Sequence, residues 1–147
     1  MRQFVCPSCQ AVNRMSDERD AAKAKCGRCH EPLFTGHPAE VGGEALDAHV
    51  RSTQGAAILL DVWAPWCGPC RAMAPQFERA AQRLEPQVRL LKLNSDNNQA
   101  AAAKLGVQGI PALFLFKDGK VVARTAGAMG AEQLIAWVRQ ALPQVAA

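Results

Sequence analysis

Six cysteines stand in this 147-residue sequence, and all six fall in C-x-x-C pairs: Cys6/Cys9, Cys26/Cys29 and Cys67/Cys70. Thiolates at that spacing do one of two kinds of chemistry. They ligate a soft metal, or they open and close as a disulfide. The first two pairs, separated by sixteen residues, fit a four-thiolate zinc site in which each pair forms a tight knuckle and gives two ligands to a tetrahedral ion. Adjacent to Cys29, His30 is a poorly placed alternative ligand, and His37 and His49 read as surface or packing residues. The third pair lacks metal partners, because residues 71–147 contain neither His nor Cys, and it reads as a redox dithiol.

Cys67-Gly68-Pro69-Cys70 follows an apolar run and precedes a helical stripe, so both sulfurs fall within one helical turn. There the two Cα atoms come within the roughly 4.4–6.8 Å that a disulfide needs. The free N–H groups and positive dipole end of the helix favour a thiolate on Cys67, which is expected to be the attacking nucleophile. Cys70, one turn in and less exposed, is expected to be the resolving thiol. Pro69 is tolerated because first-turn N–H groups have no intrahelical partner.

These residues need a scaffold, and the pattern supplies one. Leu46, His49 and Val50 at helical spacing predict a helix over 44–52, followed by a buried strand, Ile58 to Trp63. Met73, Phe77, Ala80, Ala81 and Leu84 predict a long helix over 70–84. A strand at 88–93, an Ala-rich helix at 99–105 and a strand at 112–116 complete a βαβαβ order. Asp118-Gly119 between apolar runs predicts a hairpin into Val121-Val122-Ala123, and Leu134, Ile135, Val138 and Leu142 predict a last helix over 131–142. Trp63 and Trp137 read as core.

The first 34 residues differ in texture: they are cysteine-rich, with a short strand at Gln3 to Val5 and a polar turn at Ser16 to Asp20. With so few large apolar residues, their folding energy is expected to come from the metal. Thr35-Gly36-His37-Pro38 marks a boundary, giving a zinc-binding unit over 1–35 and a larger unit over 36–147.

Composition excludes several classes. Apolar residues at 49% and charged residues at 20% describe a globular protein, and apolar runs of about five residues are far below the roughly 20 a membrane helix needs. The formal charge of +4 is no strong nucleic-acid signal: residues 1–37 hold six Lys/Arg against four Asp/Glu, and a four-thiolate zinc centre cancels that excess. The start MRQFVCPSCQ has neither an apolar h-region nor a cleavage site, so the expected compartment is the reducing cytoplasm, where paired cysteines bind metal or do redox work.

The segment Asp61-Val62-Trp63-Ala64-Pro65-Trp66-Cys67-Gly68-Pro69-Cys70 resembles the active-site segment of the thioredoxin family. Pro75, Gly109-Ile110-Pro111 and Lys117-Asp118-Gly119 match, in order, the family's helix-kinking proline, cis-proline loop and hairpin, so the resemblance covers about residues 40–147. It implies an α/β thioredoxin fold, a mixed central sheet of about five strands flanked by helices. The ribbon is similar to that of a second bacterial type of thioredoxin.

Asp61 interrupts an apolar strand, where burial raises a carboxyl pKa. It reads either as a hydrogen-bonded core carboxylate or as the group that takes the Cys70 proton, and the resemblance favours proton transfer. Lys92 resembles the lysine that thioredoxins place near this aspartate. The resemblance further implies a cis Pro111 that lays Ile110 beside Cys67 for an extended substrate strand, and a shallow apolar platform of Trp66, Ile110, Gly127 and Ala128. The Gly68-Pro69 dipeptide matches reducing members.

The function so implied is a monomeric reductase of disulfides in oxidised protein substrates, restored by an NADPH-dependent thioredoxin reductase. No nucleic-acid or membrane partner is expected. The ribbon with its one Zn²⁺ reads as a staple, an oxidant sensor or a selector of partners. The competing class is a redox-gated binding module, in which oxidation of the ribbon thiolates releases zinc and exposes apolar surface to unfolded clients.

Overall fold

The computed structural model describes residues 1–146. Strands β1 (Arg2–Val5) and β2 (Val12–Met15) form an antiparallel pair, and a single 3-10 turn (Ala21–Lys23) follows. The larger body comprises β3 (Ala39–Glu40), α1 (Gly43–Ser52), β4 (Ala57–Trp63), α2 (Gly68–Leu84), β5 (Val88–Asn94), α3 (Gln99–Leu105), β6 (Ala112–Lys117), β7 (Lys120–Ala126) and α4 (Ala131–Ala141). Its sheet runs β3-β5-β4-β6-β7, with β3, β5 and β4 parallel and β6 and β7 antiparallel. This is the mixed five-stranded sheet flanked by helices that the family resemblance implies.

Strand alternation divides the core in two. Ala57 and Leu59 of β4, with Val88 and Leu90 of β5, face α2 and α4, meeting Met73, Phe77, Leu84, Leu134 and Val138. Ile58, Leu60 and Val62, with Leu91 and Leu93, face α1 and α3, meeting Leu46 and Ala102. The central strands β4 and β5 are buried on both faces, which is why they read as continuous apolar runs in the sequence.

The differences from the sequence reading lie at edges. Edge strand β3 has only two residues, too few for any periodicity to announce it. The helix α2 begins at Gly68 and not at Cys70, because Cys67 already serves as its N-cap. Val121 and Val122, an apolar run in sequence, are 43% and 46% exposed, since β7 is the other edge. Asp118 and Gly119 both have positive φ, 52° and 80°, as a tight hairpin turn requires. Trp63 is half-buried, with its indole N–H at Glu40, and Trp137 packs half-buried against the α2/α4 core.

The first 35 residues fold against the body. Gln3 and Gln54 exchange backbone hydrogen bonds at 2.9 Å. Gly55 must be glycine here: its φ is +81°, and a Cβ would meet Arg2 Cγ at 2.7 Å. Phe4, Met15, Leu33 and Phe34 form a small core that Ala56 of the body completes. Arg89 of β5, only 3% exposed, reaches into it, donating to the Val5 carbonyl at 3.2 Å and stacking 3.9 Å from the Phe34 ring centre. Burial lowers its pKa to about 10, so it is still a cation at neutral pH.

Replacing this guanidinium leaves the Val5 carbonyl and the Phe34 face without their partner. Arg89→Met is expected to cost about 2 kcal/mol. Urea unfolding measures that loss, and hydrogen exchange is expected to quicken in β1 before it does in β5. Unchanged stability would show that the contact contributes nothing.

Candidate functional site

Strand β4 delivers the chain to the redox pair, and a turn closed by the Cys67 N–H on the Ala64 carbonyl (3.1 Å) passes it into α2. Cys67 and Cys70 form a disulfide with Cα atoms 5.2 Å apart, within the range that one helical turn allows. The Cys70 backbone N–H, one of those with no intrahelical partner, donates to Cys67 Sγ at 3.2 Å. A donor aimed at that sulfur favours its thiolate when the disulfide is open. In the disulfide the two cysteines are almost equally buried, at 4% and 3%, so the expected contrast in exposure is absent. What distinguishes them is position: Cys67 caps the helix and Cys70 lies inside its first turn.

Around the pair stand loops from separate parts of the chain. The Ile110–Pro111 bond is cis, and the Ile110 carbonyl lies 3.8 Å from Cys67 Sγ. Ile110 is half-buried against the cysteine pair, whereas Pro111 itself is buried. The Gly127 N–H donates to the Pro111 carbonyl (2.9 Å), tying the loop that carries exposed Gly127 and Ala128 to the proline loop. Gly68 and Pro69 are exposed on the helix tip. Trp66 is 67% exposed and is held by Asp96, which accepts from its indole N–H at 3.1 Å.

Within the sheet, strand register alone creates a row of charges. Asp61 of β4 pairs with Lys92 of β5, and Lys92 pairs with Glu40 of β3. Alternation puts all three on the α2 face. Asp61 is 1% exposed and neither carboxyl oxygen has a hydrogen-bond partner among the described residues. Burial pushes its pKa up to about 7, with the Lys92 charge opposing the rise and Glu40 adding to it. Lys92 Nζ sits 4.8 Å from the Trp63 ring centre, and the Trp63 indole N–H donates to Glu40 at 2.9 Å. Trp63 also packs against the cysteine pair. Sequence reasoning missed Glu40 because its strand was not legible.

The four remaining cysteines converge. Their sulfurs all lie within 4.8 Å of one another, with Cys6 and Cys29 at 3.6 Å and Cys9 and Cys26 at 3.7 Å. Four sulfurs about 2.3 Å from a tetrahedral zinc ion stand about 3.8 Å apart, so the set fits that ion. The two knuckles are built alike. Cys6 N–H donates to the Ala11 carbonyl and Cys26 N–H to that of Glu31, while the Ser8 and Arg28 N–H groups point at Cys6 and Cys26 Sγ. Gln10 and His30 each follow the second cysteine with a positive φ, so His30 is a turn residue, exposed and outside the sulfur cluster.

Comparison with known proteins finds relatives of both parts. A family model described as thioredoxin matches residues 38–140, and one described as thioredoxin 2, N-terminal, a zinc ribbon, matches residues 5–31. Thioredoxin C-3 of Corynebacterium nephridii is 36% identical over 141 residues, covering 96% of each chain. A thioredoxin of Pseudomonas aeruginosa is 40% identical over 102 residues, covering 69% of this chain and 94% of its own. Among solved structures, a point mutant of a thioredoxin from Halobacterium salinarum superimposes with a TM-score of 0.66 at 32% identity, covering 77% of this chain and 97% of its own.

The buried carboxyl at Asp61 makes stability depend on pH with a definite sign. Its folded pKa of about 7 lies above the ordinary value of 3.8, so the penalty for burying its charge is absent below pH 3.8 and complete once pH passes the folded pKa. In the disulfide form, Asp61→Asn is expected to stabilise the protein at pH 8 by a few kcal/mol, because each pH unit between the two pKa values is worth roughly 1.4 kcal/mol. At pH 4 it is expected to do little. Urea melts at the two pH values check this; equal effects at both would show that Asp61 ionises normally.

Proposed function

The chain belongs to the thioredoxin family, and from that premise we propose that it reduces disulfides in oxidised proteins, with Cys67 as nucleophile and Cys70 as resolving thiol. It is a thiol-disulfide oxidoreductase whose active-site motif is the Cys67–Cys70 pair. The observation that supports the assignment of roles is the helix start: the first-turn N–H at Cys70 is aimed at the Cys67 sulfur.

In the reaction the Cys67 thiolate attacks one sulfur of the substrate disulfide, which breaks, and a substrate thiolate leaves. Cys70 gives its proton to Asp61, which its solvent-excluded strand position keeps close to half-ionised at neutral pH. The Cys70 thiolate then attacks Cys67, the mixed disulfide breaks, and the second substrate thiolate departs. Two electrons pass from the protein dithiol to the substrate. The Asp61 proton returns through solvent or to a leaving thiolate, and Lys92 moderates the charge left on Asp61.

An extended segment of the substrate docks across the exposed Trp66 ring, Gly68, Pro69 and the Ile110–Pro111 loop, with Gly127 and Ala128 at its border. The open platform suits protein disulfides in general. A flavin-dependent thioredoxin reductase using NADPH restores the dithiol. The molecule works as a monomer in the cytoplasm, with residues 1–35 as the ribbon unit and 36–147 as the exchange unit. Cys6, Cys9, Cys26 and Cys29 hold one zinc ion, which when bound supplies folding energy to the ribbon.

Insulin reduction tests the assignment. Cys67→Ser is expected to drop turnover to the uncatalysed rate, and Cys70→Ser to accumulate mixed disulfides with substrate proteins. Wild-type turnover by Cys67→Ser overturns the mechanism. Zinc is tested separately: the denatured full chain is expected to release one equivalent to a chromophoric chelator, and Cys26→Ser to release much less. A metal-free, folded ribbon in the purified protein would contradict the zinc assignment.

A further inference from the structure

The charge row in the sheet contains a group to which the exchange reaction gives no part. Glu40 lies in register with Lys92 and Lys92 with Asp61, on parallel strands about 4.8 Å apart. One ammonium therefore stands between two carboxyl groups. The ammonium is within ion-pair distance of neither carboxyl among the described residues; it rests on the Trp63 ring, 4.8 Å from its centre. The same Trp63 holds Glu40 through its indole N–H (2.9 Å) and packs on the cysteine pair.

We propose that Glu40 is a positioning residue for the exchange: anchored by Trp63, its carboxylate competes with Asp61 for the Lys92 ammonium and leaves Asp61 free to take and return the Cys70 proton. This rests on proton transfer at Asp61 as described above. A lysine paired directly with Asp61 would hold that carboxyl ionised, and an ionised carboxylate clamped by an ammonium is a poor site for a proton that must be given back. The groups that face Asp61 are few. They are Lys92 from β5 and Glu40 from β3; Arg71 of α2 turns away to the Pro65 carbonyl, and the β6 neighbour is the apolar Leu113.

The sign follows from charge. Removing the Glu40 carboxylate takes a negative charge away from Asp61 and frees Lys92 to approach it, and both changes favour the ionised form. Glu40 is exposed, so the effect is expected to shrink with added salt.

The experiment follows the Asp61 side-chain carboxyl by ¹³C NMR against pH in the disulfide form, where neither cysteine of the pair titrates. Glu40→Gln is expected to move the midpoint down by about half a pH unit at low salt, and Trp63→Phe, which releases Glu40 without discharging it, by less. An unmoved or raised midpoint in Glu40→Gln overturns the proposal. The pH profile of insulin reduction separates the two layers. If Asp61→Asn leaves that profile unaltered, proton transfer at Asp61 falls and this proposal with it. If Asp61→Asn flattens the profile while Glu40→Gln leaves it in place, Glu40 alone is excluded.

Discussion

The first turn of α2 has backbone N–H groups with no carbonyl one turn upstream to accept them, and most of what this protein does follows from where that turn is placed. Cys67 occupies the N-cap, and the N–H of Cys70 points at its sulfur. A sulfur so placed is stabilised as an anion without needing a neighbouring cation. The partner sulfur follows one turn later, close enough to bond when the helix stays as it is. The rest of the fold holds this junction rigid: β4, buried on both faces, fixes the approach, and Met73, Phe77, Ala80 and Leu84 pin the helix to the sheet.

In the proposed exchange the resolving thiol must lose a proton, and the carboxyl assigned to take it is held at a cost to stability. An aspartate in the middle of a buried strand loses its hydration, and no hydrogen bond among the described residues replaces it. A carboxyl that changes state near neutral pH is what the proposed proton transfer uses. Lys92, Glu40 and Trp63 adjust that placement through charge and a single indole hydrogen bond.

The ribbon is built by repeating one small device, a C-x-x-C knuckle closed by a residue of positive φ, so that two knuckles bring four sulfurs together. It does not stand apart from the body. Arg89 belongs to β5, the strand that also carries Lys92, and its guanidinium lies on Phe34 under the carbonyl that precedes Cys6. Strand β5 thus carries Arg89 to the ribbon on one face of the sheet and Lys92 to the Trp63 ring on the other.

Much of this was legible in the one-dimensional pattern. The three C-x-x-C pairs, the helical stripe after Cys70 and the apolar runs of β4, β5 and β6 depend on local spacing, and local spacing survives in sequence. So the sequence by itself determined the chemistry of the cysteines, the order of the main elements and the identity of the hairpin. Only the tertiary structure decided that Glu40 joins Lys92 and Asp61, that Trp63 is a half-buried hydrogen-bond donor where a core residue was expected, and that Arg89 is a buried cation shared with the ribbon. Those facts arise from strand register and from docking between segments tens of positions apart in the chain, about which periodicity within a window of ten or so residues carries no information.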